Sequence, residues 1–480
     1  MGSIWDAGAA VPPRPALGGD IRVDAAVIGA GLAGCLTAYY LQREGLSVAV
    51  LEADRIGSGQ TGGTTAKVTC QHGLIYDRLI AQLGPEGAGL YARANQEAIE
   101  QYEMLIGEEG IDCDFQRRPA YLYTTVSPTA VQREWSAAAQ LGLPARLTAN
   151  TCLPFPVAEA LRFDRQAQLH PLRFLRAVAK DLTVYERTPV LRAQGHTLLT
   201  DRGAVRADKV VFACHYPFVD FPGLFFARMH QARSYVIALE GAQELDGMYW
   251  SPDPGGLSFR MAGDKLLLGG GEHRTGQNAA GGRYARLRRG ARSWWPGSRE
   301  TAAWSAQDCV PIDGLPFIGQ FAASRPDWTV ATGFQKWGMT TAMVAAHILT
   351  DAILGRKNPY AALFTPRRFC FRASLGALWE NGRITSGGLL KSAFGPARDS
   401  AADMPAGHGG IVESGGRKIG LYRDEAGHDH AVRSRCPHLG CELAWNPDER
   451  TWDCPCHGSR FDADGRLLSG PAQRDIGLEG

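Results

Sequence analysis

Short apolar runs closed by glycine alternate along the chain with longer stretches in which apolar residues recur at helical spacing. The run Val23-Asp24-Ala25-Ala26-Val27-Ile28 reads as a buried strand. Gly29-Ala30-Gly31-Leu32-Ala33-Gly34 follows it, then a helical pattern to about Glu44 that Gly45 stops. Ser47–Leu51 reads as the next strand and closes on Glu52. Residues 86–165 read as helical, with aromatic and acidic positions at Tyr91, Tyr102, Glu108 and Glu109. Strands are expected over Arg233–Leu239, Gly247–Trp250, Gly256–Met261 and Lys265–Leu268. Gly269-Gly270-Gly271-Glu272 then reads as a turn, because polar sequence rather than a helix comes next. Thr340–Leu354, mostly small and apolar, reads as a helix. Towards the C-terminus Gly410–Leu421 alternates as a hairpin, with tight turns at Asp424–Gly427 and Phe461–Arg466, which suits a small β-sandwich.

At 480 residues the chain is too long for one core. Its patterns divide it into an N-terminal lead (1–20), an α/β body (21–365), a linker (366–402) and an all-β domain (403–480). The linker, mixed apolar and glycine-broken over 370–402, reads as a helical connection crossing the body's surface. A net charge of +2, spread along the chain, provides no basic field for nucleic acid. The apolar run Ala25–Ala33 is short and glycine-broken, and no signal, twin-arginine or transmembrane segment is visible, so a cytoplasmic protein is expected. Of eleven cysteines, Cys35, Cys70, Cys113, Cys152, Cys214, Cys309 and Cys370 are scattered through apolar sequence and read as small buried hydrophobes. The other four are clustered.

A Gly-x-Gly-x-x-Gly alone carries little weight. Here it lies between a strand and a helix, with Glu52 eighteen positions after Gly34. The glycines let backbone approach a pyrophosphate at the helix N-terminus, and Glu52 can accept from ribose hydroxyls. A second fingerprint for a nicotinamide nucleotide is absent. The next segment, Ala53–Lys67, is rich in glycine and hydroxyls and could wrap a long cofactor towards its ring.

This arrangement resembles the D-amino-acid oxidase/glycine oxidase superfamily of FAD enzymes, across roughly residues 22–365. The resemblance implies FAD bound by segments at about 21–85, 166–227 and 305–365, with a substrate cap at about 86–165 and 228–304. In the first segment it implies Gly29, Ala30, Gly31, Leu32, Ala33, Gly34, Glu52, Ala53, Gly59, Thr61, Thr64, Thr65 and Ala66 as FAD-binding residues. It implies Val190 backbone contacts to the adenine, and a hairpin and strand over Thr200–Pro217 under the cofactor. At the flavin it implies Gly314, Gly333, Lys336, Trp337, Gly338, Met339 and Thr340, where a helix N-terminus stabilises the reduced flavin anion. In the cap it implies that Arg260 fixes a substrate carboxylate. His72 is a further candidate to face the ring, and Lys336 to tune the flavin or activate oxygen. His230 and His273 read as structural.

The clustered cysteines lie in Cys436-Pro437-His438-Leu439-Gly440-Cys441 and Cys454-Pro455-Cys456-His457-Gly458-Ser459. Cys436 and Cys454 could hold one iron of a [2Fe–2S] cluster, and His438 and His457 the other. A single tetrahedral zinc is the alternative. The Cys-His-Gly-Ser surroundings, and Ser469-Gly470-Pro471-Ala472 placed to cover a cluster, suit zinc poorly. The stretch resembles the Rieske family, in its disulfide-bearing branch, which implies that Cys441 and Cys456 clamp the two loops. The resemblance also implies a Ser459 hydrogen bond to a bridging sulfide. Phe461 stands where respiratory members carry tyrosine, so the expected potential lies below the top of the roughly −150 to +300 mV Rieske span.

The expected fold is therefore an α/β FAD-binding Rossmann-type domain with an interleaved α+β substrate domain, plus a C-terminal all-β Rieske domain. No oxygenase domain is expected after the cluster, and no 2-His-1-carboxylate arrangement is visible. The combination resembles bacterial FAD enzymes of the glycine-oxidase type with a fused Rieske domain. It implies oxidation of a small amine or amino-acid-like substrate, with electrons leaving singly through the cluster to an external one-electron carrier. Two rivals are a reductase running the same chain in reverse, and a redox carrier or sensor with no dedicated substrate.

Overall fold

The computed structural model of the protein describes residues 2–6, 12–368, 379, 381–388, 392 and 399–478. Cys370 and much of the expected linker lie outside the described residues; within it, residues 381–388 are helical.

The first apolar run, Ile21–Ile28, pairs in parallel with Ala204–Phe212 on one side and Val48–Leu51 on the other. It sits inside an eight-stranded sheet whose order continues outward to Arg325–Thr332 and Phe317–Ala322 at one edge and Val184–Tyr185 at the other. A parallel strand covered on both faces must be apolar throughout, and residues 25–28 are all buried. The helices Leu32–Arg43 and Gly338–Ile353 pack against each other. Each begins just after the carboxyl end of a strand of this sheet, Ile28 and Thr332 respectively. Both helix N-termini thus open at the sheet edge where α/β folds place ligands.

A second sheet of nine strands is built from the segments expected to form the cap, with strands from either side of them. Its order is Arg299–Pro311, Met229–Glu240, Lys265–Arg274, Ser258–Ala262, Met248–Trp250, Gln116–Thr124, Glu159–Gln168 and Lys67–Val68, with Ala145–Thr148 paired to Glu159–Gln168. Two expectations are corrected here. Residues 86–165 are only partly helical: after the helix Tyr76–Glu109 they supply three strands of this sheet around the helix Thr129–Gln140. Cross-strand burial, invisible in a local pattern, decides those strands. Gly269–Gly271 is no turn but the middle of the strand Lys265–Arg274. A Cβ at Gly269 would stand 2.6 Å from Ser258 Oγ, and one at Gly270 2.6 Å from Leu257. Gly271, at φ +72°, takes up the register shift opposite Arg233 and Tyr235.

The C-terminal region forms two four-stranded sheets, one over Asp399–Arg433 and one over Ala444–Ser469. Among the described residues, no helix is long and apolar enough to cross a membrane.

Candidate functional site

A cavity of about 1220 Å³ opens where the two large sheets meet. Its walls include Gly29, Gly31, Leu32, Ala33, Glu52, Ala53, Gly59, Thr61, Thr64, Thr65, Val190, Gly333, Lys336, Trp337, Gly338 and Met339. The volume exceeds the ~300–1,000 Å³ of drug-sized sites, as an extended dinucleotide plus substrate requires. Close backbone approach explains the glycines. A Cβ on Gly34 would lie 1.9 Å from Gly29 O, and one on Gly29 2.6 Å from Ala213 O. Glu52 is oriented by its own backbone neighbourhood: Oε2 accepts from Ala30 N–H at 2.7 Å and Oε1 from Asp54 N–H at 3.0 Å. Thr61 Oγ1 accepts from Leu32 N–H at 3.1 Å, tying the loop to the first helix. Gly338 and Met339 put the start of the sixteen-residue helix Gly338–Ile353 on the cavity wall. This cradle of open backbone and helix N-termini fits FAD.

Other candidates lie elsewhere. Ala30, Gly34, Ala66, Gly314 and Thr340 do not line the cavity. Gly34 serves packing, Thr340 Oγ1 donates to Thr69 O, and Gly314 O accepts from Arg78 and Gln335. The carboxylate-binding role expected for Arg260 is corrected. Its guanidinium is buried behind the wall and donates to Met261 O, Thr65 O and Ala66 O at 2.7–2.9 Å. Trp5, from the N-terminal lead, lies under that guanidinium and donates to Thr64 O at 2.7 Å. Arg260 and Trp5 together pin the carbonyls of the flavin-reaching loop. Ser258, two residues before Arg260, faces the cavity instead.

His72 lines the cavity, but both ring nitrogens are engaged. Nδ1 meets Tyr91 OH at 2.6 Å and Nε2 meets Thr69 O at 2.7 Å. The ring stacks on Trp337 at 4.9 Å, and burial brings its pKa down to about 3. It is therefore a neutral wall residue rather than an acid or base. Lys336 pairs with Glu272. Two wall residues were not foreseen. Lys67 is 8% exposed and, among the described residues, its ammonium donates to Thr65 Oγ1 alone, at 3.1 Å. Burial, with Arg260 and Lys336 nearby, lowers it to about 7. Asp308 is pushed up to about 7 by burial, against the pull of Lys336. Neither has a motif; only the fold turns them inward.

The two Cys/His loops are built alike. Gly440 N–H donates to Cys436 O and Gly458 N–H to Cys454 O, both at 2.9 Å, and both glycines sit at φ +82°. Cys441 and Cys456 are disulfide-bonded. Their sulfurs lie within 4.8 Å of Cys454, but the bond leaves Cys436 and Cys454 as the free thiols. These two face each other across a hydrogen bond that makes Cys436 the more acidic. Among the described residues, His438 Nδ1 and His457 Nδ1 are buried without a partner. Burial brings His457 down to about 3, so it is a neutral imidazole. Two thiols and two orphaned imidazole nitrogens suit the mixed donor set of a Rieske [2Fe–2S] cluster. Ser459 Oγ accepts from Ala472 N–H at 2.9 Å and hydrogen-bonds Cys436.

The cluster loops lie against the wall of the cavity. Along Arg299–Pro311, Ala306, Asp308 and Val310 face the cavity, while Ser305 and Gln307 meet the C-terminal domain, at Glu449 and Gly458 O. His438 Nε2 lies 3.0 Å from the Asp220 carboxylate. Residues 467–473 of the C-terminal domain themselves line the cavity.

Residues 24–352 match the family of FAD dependent oxidoreductases (DAO), and residues 397–478 match the Rieske [2Fe-2S] domain. The chain is 38% identical over 492 residues to a Rieske 2Fe-2S iron–sulfur protein, YhfW, of Bacillus subtilis (strain 168), covering 99% of this chain and 96% of that one. Glycine oxidase from Geobacillus kaustophilus shares the fold with a TM-score of 0.62 and 18% identity, over 72% of this chain and 99% of that one. L-amino acid deaminase from Proteus vulgaris, with its specific insertion sequence deleted, gives a TM-score of 0.60 and 19% identity, over 75% of this chain and 97% of that one.

Proposed function

Because the chain belongs to the FAD dependent oxidoreductase (DAO) family and carries a C-terminal Rieske [2Fe-2S] domain, we propose that it is a dehydrogenase of small amines or amino-acid-like compounds that delivers electrons singly to an external carrier. FAD supplies the hydride acceptor and the cluster the one-electron step. One observation carries the reading: the strand Arg299–Pro311 is a shared wall, with Asp308 on the flavin side and Gln307 on the cluster side. An oxidase passing both electrons to oxygen needs no such neighbour.

The chain's own residues support this chemistry. The N-terminus of Gly338–Ile353 aims unpaired N–H groups at the cavity, where negative charge develops on a reduced flavin. Trp250 and Trp337, 5.1 Å apart, form an apolar flank that excludes water. Asp308, held near neutrality, is suited to take the proton of a substrate ammonium so that a neutral amine reacts. Glycine oxidase and L-amino acid deaminase, which share the fold, point to the same substrate class. A cytoplasmic location accompanies the reading.

Anaerobic titration of the holoenzyme with a panel of amines and amino acids tests it. Flavin absorbance should bleach first and the cluster signal follow, with turnover restored by a one-electron dye. Turnover only when a reduced carrier is supplied would establish the reverse direction, and a flavin spectrum that no compound perturbs would leave a redox carrier.

A further inference from the structure

A file of polar side chains crosses the wall between the two redox sites. His215, held in left-handed backbone at φ +66°, lines the cavity, with Nε2 3.3 Å from Cys309 Sγ. Its imidazole lies beside the Gln231 side chain; burial brings its pKa down to about 4, against the smaller raising effect of that neighbour. The Gln231 amide donates in turn to His457 O at 2.6 Å and to Gly470 O at 3.2 Å. Gln307 completes the link, with its amide donating to Gln231 Oε1 and, at 2.8 Å, to Gly458 O.

Two features mark this link as built rather than incidental. Gln231 and Gln307 are 2% and 1% exposed, and placing two primary amides inside a sheet interface is costly unless their groups are paired. Apolar side chains would pack there without that requirement. Gly458, beside the ligand His457, leaves the space: a Cβ on it would stand 2.6 Å from the Gln231 Cβ. Two further histidine contacts with the flavin half, His438 to Asp220 and the His457 ring to Phe226, lead to residues that do not line the cavity.

We propose that His215 and Gln231 form the electron route from flavin to cluster, with Gln231 the positioning residue that couples His457 to the cavity wall. The proposal rests on the dehydrogenase reading. Bonded and hydrogen-bonded atoms carry electron tunnelling better than a gap of the same length, and groups bonded to metal ligands tune what those ligands do. In each transfer one electron leaves the two-electron-reduced flavin and one ferric iron becomes ferrous. The external one-electron acceptor takes that electron before the second follows, and the flavin's protons pass to water. No bond of His215 or Gln231 is made or broken.

The holoenzyme tests this without any substrate. A flash in the presence of a deazaflavin photoreductant reduces the flavin, and cluster absorbance then reports the transfer. Gln231→Leu should slow flavin-to-cluster transfer by about tenfold or more, with FAD content, iron content and the cluster's electron paramagnetic resonance spectrum unchanged. A wild-type rate in that variant overturns the proposal. Should Gln231→Leu lose iron, His215→Phe interrupts the same link from the flavin side, and should slow transfer equally; an unchanged rate there overturns it too. A slowing that appears in both variants only with faster hydrogen exchange across residues 454–473 assigns these residues to docking, and the route falls. Absence of transfer in the wild-type protein would remove the dehydrogenase reading itself.

Discussion

Arg260 shows how a single side chain is turned from expected ligand to scaffold by the backbone carbonyls packed around it. Its guanidinium donates to the loop carbonyls of Thr65 and Ala66 and to Met261 O of its own strand, so Arg260→Lys, which keeps the charge but loses the planar fork, should destabilise the protein by about 2–3 kcal/mol. Thermal unfolding and the rate of FAD release check this; unchanged FAD retention would assign the loop's order to Trp5 alone. Lys67 sets a pH dependence. Its folded-state value of about 7 lies below the ordinary 10.5, because burial and then its cationic neighbours disfavour the charge. Between about pH 7 and 10.5 the unfolded chain holds a proton that the folded chain has lost, so stability rises with pH across that window. Below pH 7 both states are protonated and the full cost of a buried cation is present. Lys67→Met should therefore raise the melting temperature of the holoenzyme at pH 6, with the gain shrinking towards zero near pH 10. An equal gain at both pH values would show that lost packing or flavin contact dominates. None of this was legible in the sequence. Lys67 sits in a threonine-rich run like any surface lysine, and the carbonyls that hold the Arg260 guanidinium, Thr65 O and Ala66 O, come from a segment almost two hundred residues away.

At the scale of elements, the parts defined by backbone chemistry were legible and those defined by cross-sheet packing were not. The strand, glycine turn and helix at 21–43 follow from local pattern, and the paired loops announce themselves because glycine is needed at the same place in each. The glycines within the strand Lys265–Arg274 look like a turn in the sequence, although Gly269 and Gly270 are the positions where Ser258 and Leu257 leave no space for a side chain. The same loops allow a prediction about potential. Ser459, fixed by Ala472 N–H, directs its hydroxyl at Cys436, while Phe461, wholly buried among the cluster cysteines, provides no donor. Hydrogen bonds to sulfur stabilise the more negative, reduced cluster and raise its potential. Ser459→Ala should lower the midpoint and Phe461→Tyr raise it, as measured by redox titration followed by paramagnetic resonance. Shifts of the same sign in both variants would refute this account.

At the scale of the whole molecule, the C-terminal domain is held as a fixed wall of the flavin half. Arg233, 2% exposed, rises from the nine-stranded sheet to Glu449 at 2.9 Å, and Tyr284 OH donates to the same carboxylate at 2.8 Å. Asn278 reaches Asn446 and Asp448, each at 2.9 Å, and Arg274 donates to Pro455 O at 3.3 Å. Charge at the centre of such an interface specifies how two domains sit more than it tightens them, because both groups give up water. Removing one partner is a different matter, since it strands the other. Glu449→Leu leaves the Arg233 guanidinium buried without its carboxylate, and should weaken docking by about 3–5 kcal/mol. Hydrogen exchange would then quicken across the cluster loops, and flavin-to-cluster transfer would slow with it. In the double variant Arg233→Leu, Glu449→Leu neither charge is left to desolvate, so docking, slow exchange and transfer should return together. If the double variant stays as loose as the single one, the pair is contributing attraction rather than register. If exchange is slow in every variant, the glutamines, Asn278 and Arg274 hold the domain by themselves, and the cluster reaches the flavin by a contact that no single ion pair controls.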